Sequence, residues 1–175
     1  MNRVNFVFGL IFVAAGAAAF APTHVVVADD AVVYDENHQY DDAYVVARPP
    51  YWTAARCEAV GSPSSPRTYC YVTLTDGTTG LAEWDYFGKL YVAAREARLR
   101  AAPGDDQAEV GRVAVGESIA EVGPPVFLQP PGFHDEHYGD ATGIFYDEAA
   151  EEWREVMTKD RRRGFLRAAD LTAAD

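Results

Sequence analysis

His134-Asp135-Glu136-His137, with Asp140 close behind, is the stretch of this sequence richest in groups able to hold a metal ion. Imidazoles and carboxylates together suit zinc, and the oxygens alone suit calcium. The H-x-x-H spacing has no matching pair elsewhere in the chain, and a solvated loop held by its prolines is the plainer reading, so no metal is assigned. Nucleophilic catalysis needs a nucleophile with a base beside it. His24 lies just after the apolar N-terminal run, and His38 lies in the polar stretch DENHQYDD. The sequence contains no G-x-S-x-G elbow and no phosphate-cradling loop, and its carboxylates form no recognisable glycosidase pattern. The chain therefore reads as a non-enzyme without a cofactor.

Cys57 and Cys70 are the only cysteines. They are better placed to bond to each other than to react. If ARCEAV and TYCYVTL are neighbouring antiparallel strands, the midpoint between the cysteines falls within Ser62-Pro63-Ser64-Ser65-Pro66, and the two sulfurs face each other. Closing so short a loop stabilises by ~3 kcal/mol on the chain-entropy model. Two buried free thiols are the alternative.

An oxidising compartment would favour the bond, and the N-terminus points to one. Arg3 precedes an apolar run over residues 4–15, and Ala17-Ala18-Ala19 and Ala19-Phe20-Ala21 both fit a small-x-small cleavage pattern. Residues 1–21 read as a signal peptide, with an uncleaved anchor as the alternative. A periplasmic or secreted protein follows, with no stable membrane insertion after cleavage. The formal charge of −12 disfavours nucleic acid, and also adsorption to an anionic membrane. Arg161-Arg162-Arg163 is the one basic run, and its acidic neighbours Glu148, Glu151, Glu152 and Glu155 make it a solvated, ion-paired turn.

The elements that must position these groups read as β and occur twice. Val72 aligns with Val156, Asp76 with Asp160, Gly80 with Gly164 and Phe87 with Leu171, without a gap. VVVADDAVVYD from Val25 aligns with YVAAREARLRA from Tyr91, at a smaller offset, so the second unit carries an insertion. Fixed self-similarity of this size suggests two small domains. The segment YVTLTDGTTGLAEW alternates on both sides of Asp76-Gly77, a strong hairpin signal because both turn residues accept positive φ. The second copy, Asp160-Arg161-Arg162-Arg163-Gly164, predicts a looser hairpin. DEAAEEWREV could form a turn or two of helix, and Gly88-Lys89-Leu90 reads as a short linker.

The second unit resembles a bacterial Src-homology-3-like (SH3-like) domain. Ala97-Arg98-Leu99-Arg100-Ala101-Ala102-Pro103-Gly104 looks like that family's opening, Val110 to Glu117 like its next strand and turn, and Trp153 to Leu171 like its close, with Gly164-Phe165-Leu166 standing for Gly-Trp-Val. The first unit is similar mainly through Asp76-Gly77-Thr78-Thr79-Gly80-Leu81-Ala82. The resemblance implies an all-β protein of two small SH3-like β-barrels in tandem, over 22–88 and 89–175, with a long loop insertion at about 123–152 in the second.

The resemblance also implies an aromatic groove for an extended peptide. Tyr51, Trp52, Trp84 and Tyr86 would line it in the first barrel, with Tyr138 and Trp153 as counterparts in the second. Core or inter-barrel packing is the rival role for Trp84 and Trp153. The function expected is a non-catalytic exported module that recognises a peptide or a cell-wall component such as peptidoglycan. The alternative is a periplasmic protein–protein adaptor or immunity-like inhibitor that binds a basic partner protein, to which the acidity is suited.

Overall fold

The computed structural model describes residues 20–37, 41–60, 69–128 and 150–174. These form an all-β structure. Its strands are β1 (His24–Val26), β2 (Val33–Tyr34), β3 (Val45–Ala47), β4 (Ala54–Val60), β5 (Tyr69–Leu74), β6 (Thr79–Glu83) and β7 (Phe87–Ala93), then β8 (Ala97–Arg100), β9 (Glu109–Val113), β10 (Ser118–Glu121), β11 (Val126–Leu128), β12 (Glu151–Thr158), β13 (Arg163–Arg167) and β14 (Leu171–Ala173). Single 3-10 turns cover Asp42–Tyr44, Trp84–Tyr86 and Ala168–Asp170. The signal-peptide core and the His134–His137 cluster lie outside the described residues, as does Tyr138. Within the stretch expected to turn helical, residues from Glu151 onward are strand.

All pairings are antiparallel and belong to one sheet, in the order β3-β2-β6-β5-β4-β1-β7-β10-β12-β13-β8-β9, with β11 added on β12 and β14 on β7. The ladders are continuous, so hydrogen bonding closes neither half into a barrel. Gly88-Lys89-Leu90 is not a linker. It lies inside β7, which pairs with β1 through Phe87, Gly88 and Lys89 and with β10 through Lys89 to Val92. Glycine suits this crossing, because a Cβ at position 88 would stand 2.7 Å from the Ala120 Cβ and 2.9 Å from the Glu121 carbonyl oxygen.

The repeat seen in the sequence recurs in the structure. Each half has a central hairpin, β5–β6 or β12–β13, followed by a 3-10 turn and a further strand. In the first half Gly80 faces β2, and an added Cβ would meet the Tyr34 carbonyl oxygen at 2.3 Å. In the second half Gly164 faces β8, and an added Cβ would meet the Arg100 carbonyl oxygen at 2.6 Å. The two offsets noticed in the sequence are therefore one structural contact made twice.

Both hairpin turns differ from the expected forms, and they match each other. Leu74 N donates to the Thr78 carbonyl (2.9 Å), and Gly77 N donates to the Leu74 carbonyl (3.0 Å). Thr158 N donates to the Arg162 carbonyl (3.0 Å), and Arg161 N donates to the Thr158 carbonyl (2.9 Å). Each loop has three residues and ends on a left-handed one, Gly77 at φ 87° and Arg161 at φ 67°. The second hairpin is thus no looser than the first. It holds an arginine where the first holds a glycine.

Alternation drives burial. Along β5, Cys70, Val72 and Leu74 point inward while the residues between them are half-exposed. The core falls into three groups. Val26, Val33, Cys57, Val72, Leu74 and Phe87 belong to the first half, and Leu99, Val113, Ile119, Val156 and Leu166 to the second. Val25, Leu90 and Ala120 form a smaller joint between them, with Trp52 and Val122 packed against it. The disulfide Cys57–Cys70 sits in the first core with its Cα atoms 5.6 Å apart. The cysteines are not directly opposite. Cys57 faces Val72 and Cys70 faces Ala59, a register two residues away from the symmetric one, and the bond crosses the ladder diagonally.

Candidate functional site

The first half meets the second along β1, β7 and β10, and the sheet leaves a groove of about 690 Å³ beside that joint. Trp84 and Asp85 of the 3-10 turn lie on one side, with His24 and Val27 from the β1 region. Pro124, Pro125, Met157 and Arg163 come from the second half, and Lys89 and Glu121 line the groove from β7 and β10. The volume falls in the range of small-molecule and short-peptide sites. The lining mixes an aromatic face, prolines and a thioether with charges of both signs, which suits a ligand carrying both backbone polarity and charge.

His24 is the most perturbed group there. It is buried and packs edge-on against Trp84, with ring centroids 5.4 Å apart and planes at 75°. Thr23 Oγ1 lies 2.8 Å from Nδ1, within hydrogen-bonding distance. Burial, with the Lys89 charge adding to it, lowers its pKa to about 4. The imidazole is therefore neutral at pH 7 and able to exchange hydrogen bonds without carrying charge.

The four aromatic residues expected in one groove divide into two pairs. Trp84 and Tyr86 pack against the first core, and Trp84 also lines the groove. Tyr51 and Trp52 lie with ring centroids 5.7 Å apart and planes tilted by 42°, and serve the joint. Trp52, at a left-handed φ of 65°, packs on the Val25–Leu90–Ala120 cluster. The Tyr51 hydroxyl donates to the Thr158 carbonyl (2.8 Å), and the Arg161 guanidinium lies 4.0 Å from the centre of its ring. Arg161 also forms a two-pronged ion pair with Asp29, at 2.7 and 2.5 Å, which holds the Asp29 carboxyl below its ordinary range. The left-handed turn of the second half is thus docked on the first half.

The rest of the basic run is paired as well. Arg162 reaches Asp160 (2.8 Å) and Glu117 (3.0 Å), and Arg163 reaches Glu155 (2.7 Å). Among the described residues, Glu155 is the one of the expected acidic neighbours that contacts the run. Hydrogen bonds from Thr158 and then Arg162 hold the Asp160 carboxyl low.

Trp153 is 2% exposed, in β12, opposite Val126 and Arg167. Its ring is core. The sequence did not mark Lys89, Glu121, Pro124 or Pro125 as site residues. The proline pair falls in the insertion read as a loop, and nothing local placed it beside Trp84. Among the described residues, no group of three or more His, Cys, Asp or Glu side chains is arranged to hold a metal, and no helix is long and apolar enough to cross a membrane.

The chain matches no protein-family model and no curated protein. Among solved structures it is similar to NlpC2 from Trichomonas vaginalis, at 7% identity and a TM-score of 0.29, over 89% of this chain. The chain spans about half, 49%, of that structure's length. A likeness so slight carries no argument here.

Proposed function

We propose that this protein is a non-catalytic, exported binding module built from two SH3-like units, and that it takes a short peptide or peptidoglycan-derived stem in the groove beside Trp84. The groove itself carries the reading. One half-buried indole, two prolines and Met157 offer apolar contact, and Lys89, Arg163, Asp85 and Glu121 offer charge of either sign. Short extended ligands bind by this combination, with stacking for affinity and charge for register. The repeated hairpin, 3-10 turn and following strand support the tandem SH3-like reading, as do the matched glycines 80 and 164. The Cys57–Cys70 disulfide fits export to an oxidising compartment.

Co-sedimentation with purified peptidoglycan tests this reading. The wild-type protein is expected in the pellet, and Trp84→Ala in the supernatant while still folded and unfolding cooperatively, at a lower melting temperature because Trp84 also packs on the first core. Failure of the wild type to sediment removes the cell-wall ligand. The charge of −12 favours the second reading, an adaptor or inhibitor for a basic periplasmic protein. That reading gains if the protein stays soluble while co-purifying with a basic partner that salt releases.

A further inference from the structure

The charged side chains that line the groove beside Trp84 are not equally committed. The Glu121 carboxylate accepts hydrogen bonds from Arg154 Nη1 at 2.7 and 2.8 Å, and Arg163 is paired with Glu155 at 2.7 Å. Lys89 and Asp85 have no ion-pair partner among the described residues. His24, Lys89 and Glu121 lie directly opposite one another across β1, β7 and β10, so they form one row on one face of the sheet. The Lys89 ammonium lies 5.3 Å from the centre of the Tyr91 ring, two residues further along β7 from the Trp84–Tyr86 turn. Asp85 is exposed on that turn, next to Trp84.

Counted together with its ion-pair partners, the groove is negative. Lys89, Arg163 and Arg154 stand against Asp85, Glu121, Glu152 and Glu155, since Arg154 holds Glu152 as well as Glu121. His24 adds no charge at pH 7. The excess gathers at the turn. Burial first, and then the charges of Glu83 and Asp30, raise the Tyr86 hydroxyl above its ordinary value. Neither of those two carboxylates has an ion-pair partner among the described residues.

Two neighbouring side chains point to a ligand there. Cations of the protein lie over the rings of Tyr51, Tyr91 and Trp153, yet among the described residues none lies over Trp84. An indole is the best aromatic partner for a cation. His24, 7% exposed, lines the groove against Trp84. Its Nδ1 lies against Thr23 Oγ1, and its Nε2 has no hydrogen-bond partner among the described residues. A peptide backbone offers both a donor and an acceptor to that nitrogen, whichever tautomer the ring adopts. We infer that the groove selects a peptide with a basic side chain, whose ammonium group is received by Trp84 and Asp85 together, a selection that rests on the groove being a peptide site.

The test uses the full chain labelled with nitrogen-15, with the Trp84 indole N–H resonance identified by its loss in Trp84→Phe. The probes are N-acetyl-alanyl-lysyl-alanine amide and the same peptide acetylated on the lysine Nζ, which keeps the length but not the charge. The lysyl peptide is expected to shift the indole resonance in a saturable way. Its affinity is expected to fall roughly fivefold or more on acetylation, and by a similar factor in Asp85→Asn, a change at an exposed side chain. Equal affinity for the two peptides overturns the proposal and leaves the groove a peptide site. Undiminished binding of the lysyl peptide by Asp85→Asn overturns it as well. If neither peptide shifts the indole while a soluble peptidoglycan stem peptide does, the basic selection alone is overturned. If none of the three shifts it, the groove is lost as a peptide site too.

Discussion

The twin turns give the sharpest quantitative expectation. Gly77 and Arg161 occupy the same place in two copies of one hairpin, both left-handed. A Cβ at position 77 meets nothing within 4 Å, so Gly77→Ala tests backbone conformation alone. The left-handed region costs an L-residue about 1–2 kcal/mol, and glycine gives back about 0.5–1 kcal/mol through its freer unfolded chain. Gly77→Ala should therefore destabilise by about 0.5–1 kcal/mol. At position 161 the same sum is read from a pair of variants. Arg161→Ala and Arg161→Gly both lose Asp29 and the Tyr51 ring, but only the alanine keeps the strain. The glycine variant should be the more stable by about 0.5–1 kcal/mol, contrary to the ordinary ranking of these residues outside turns. Urea unfolding followed by tryptophan fluorescence reads the difference as a shift in midpoint at constant slope. An alanine variant as stable as the glycine variant would refute both the left-handed turn at 161 and the equivalence of the two hairpins.

Other expectations follow from the same structure. Cys57→Ala with Cys70→Ala should cost about 2–4 kcal/mol, and reduction of the wild type should lower its melting temperature about as far as the double substitution does. Gly80→Ala and Gly164→Ala drive a Cβ into the backbone of β2 or β8; each should cost about 1–3 kcal/mol or more, measurable by thermal melts. His24, lowered to about 4 in the folded chain against an ordinary 6.5, binds its proton more weakly when folded. Its contribution is complete above pH 6.5 and is lost as pH falls from 6.5 towards 4. Melting temperatures of wild type and His24→Phe should therefore converge or cross as the pH is lowered through that window, and parallel curves would remove His24 as the cause.

The parts of this fold legible in the sequence are those set by local pattern. Alternation from Tyr69 to Leu74 marked β5, Asp76-Gly77 marked its turn, and the paired offsets found both halves. What stayed hidden depends on partners far along the chain. Gly88 looks like a breaker, yet it lies within β7 because Ala120 crosses it too closely for a side chain. Arg161 looks unfit for a tight turn, yet it adopts one while held by Asp29 and Tyr51, which no local window contains. The cysteine pair was legible, but its diagonal register was not, because that depends on how β4 and β5 slide past each other. The aromatic residues were legible as a set, but their division between the joint and the groove was not. Trp84 follows β6 into a 3-10 turn that carries it to the groove, whereas Trp52 turns left-handed into the joint.

The central claim, that the groove beside Trp84 is where a peptide binds, is tested most directly by mapping nitrogen-15 chemical shifts while a soluble peptidoglycan stem peptide is added. The account expects saturable shifts at the Trp84 indole and at the amides of His24, Lys89 and Glu121. Saturable shifts confined to residues remote from that groove, or a spectrum unchanged at millimolar peptide, would contradict it.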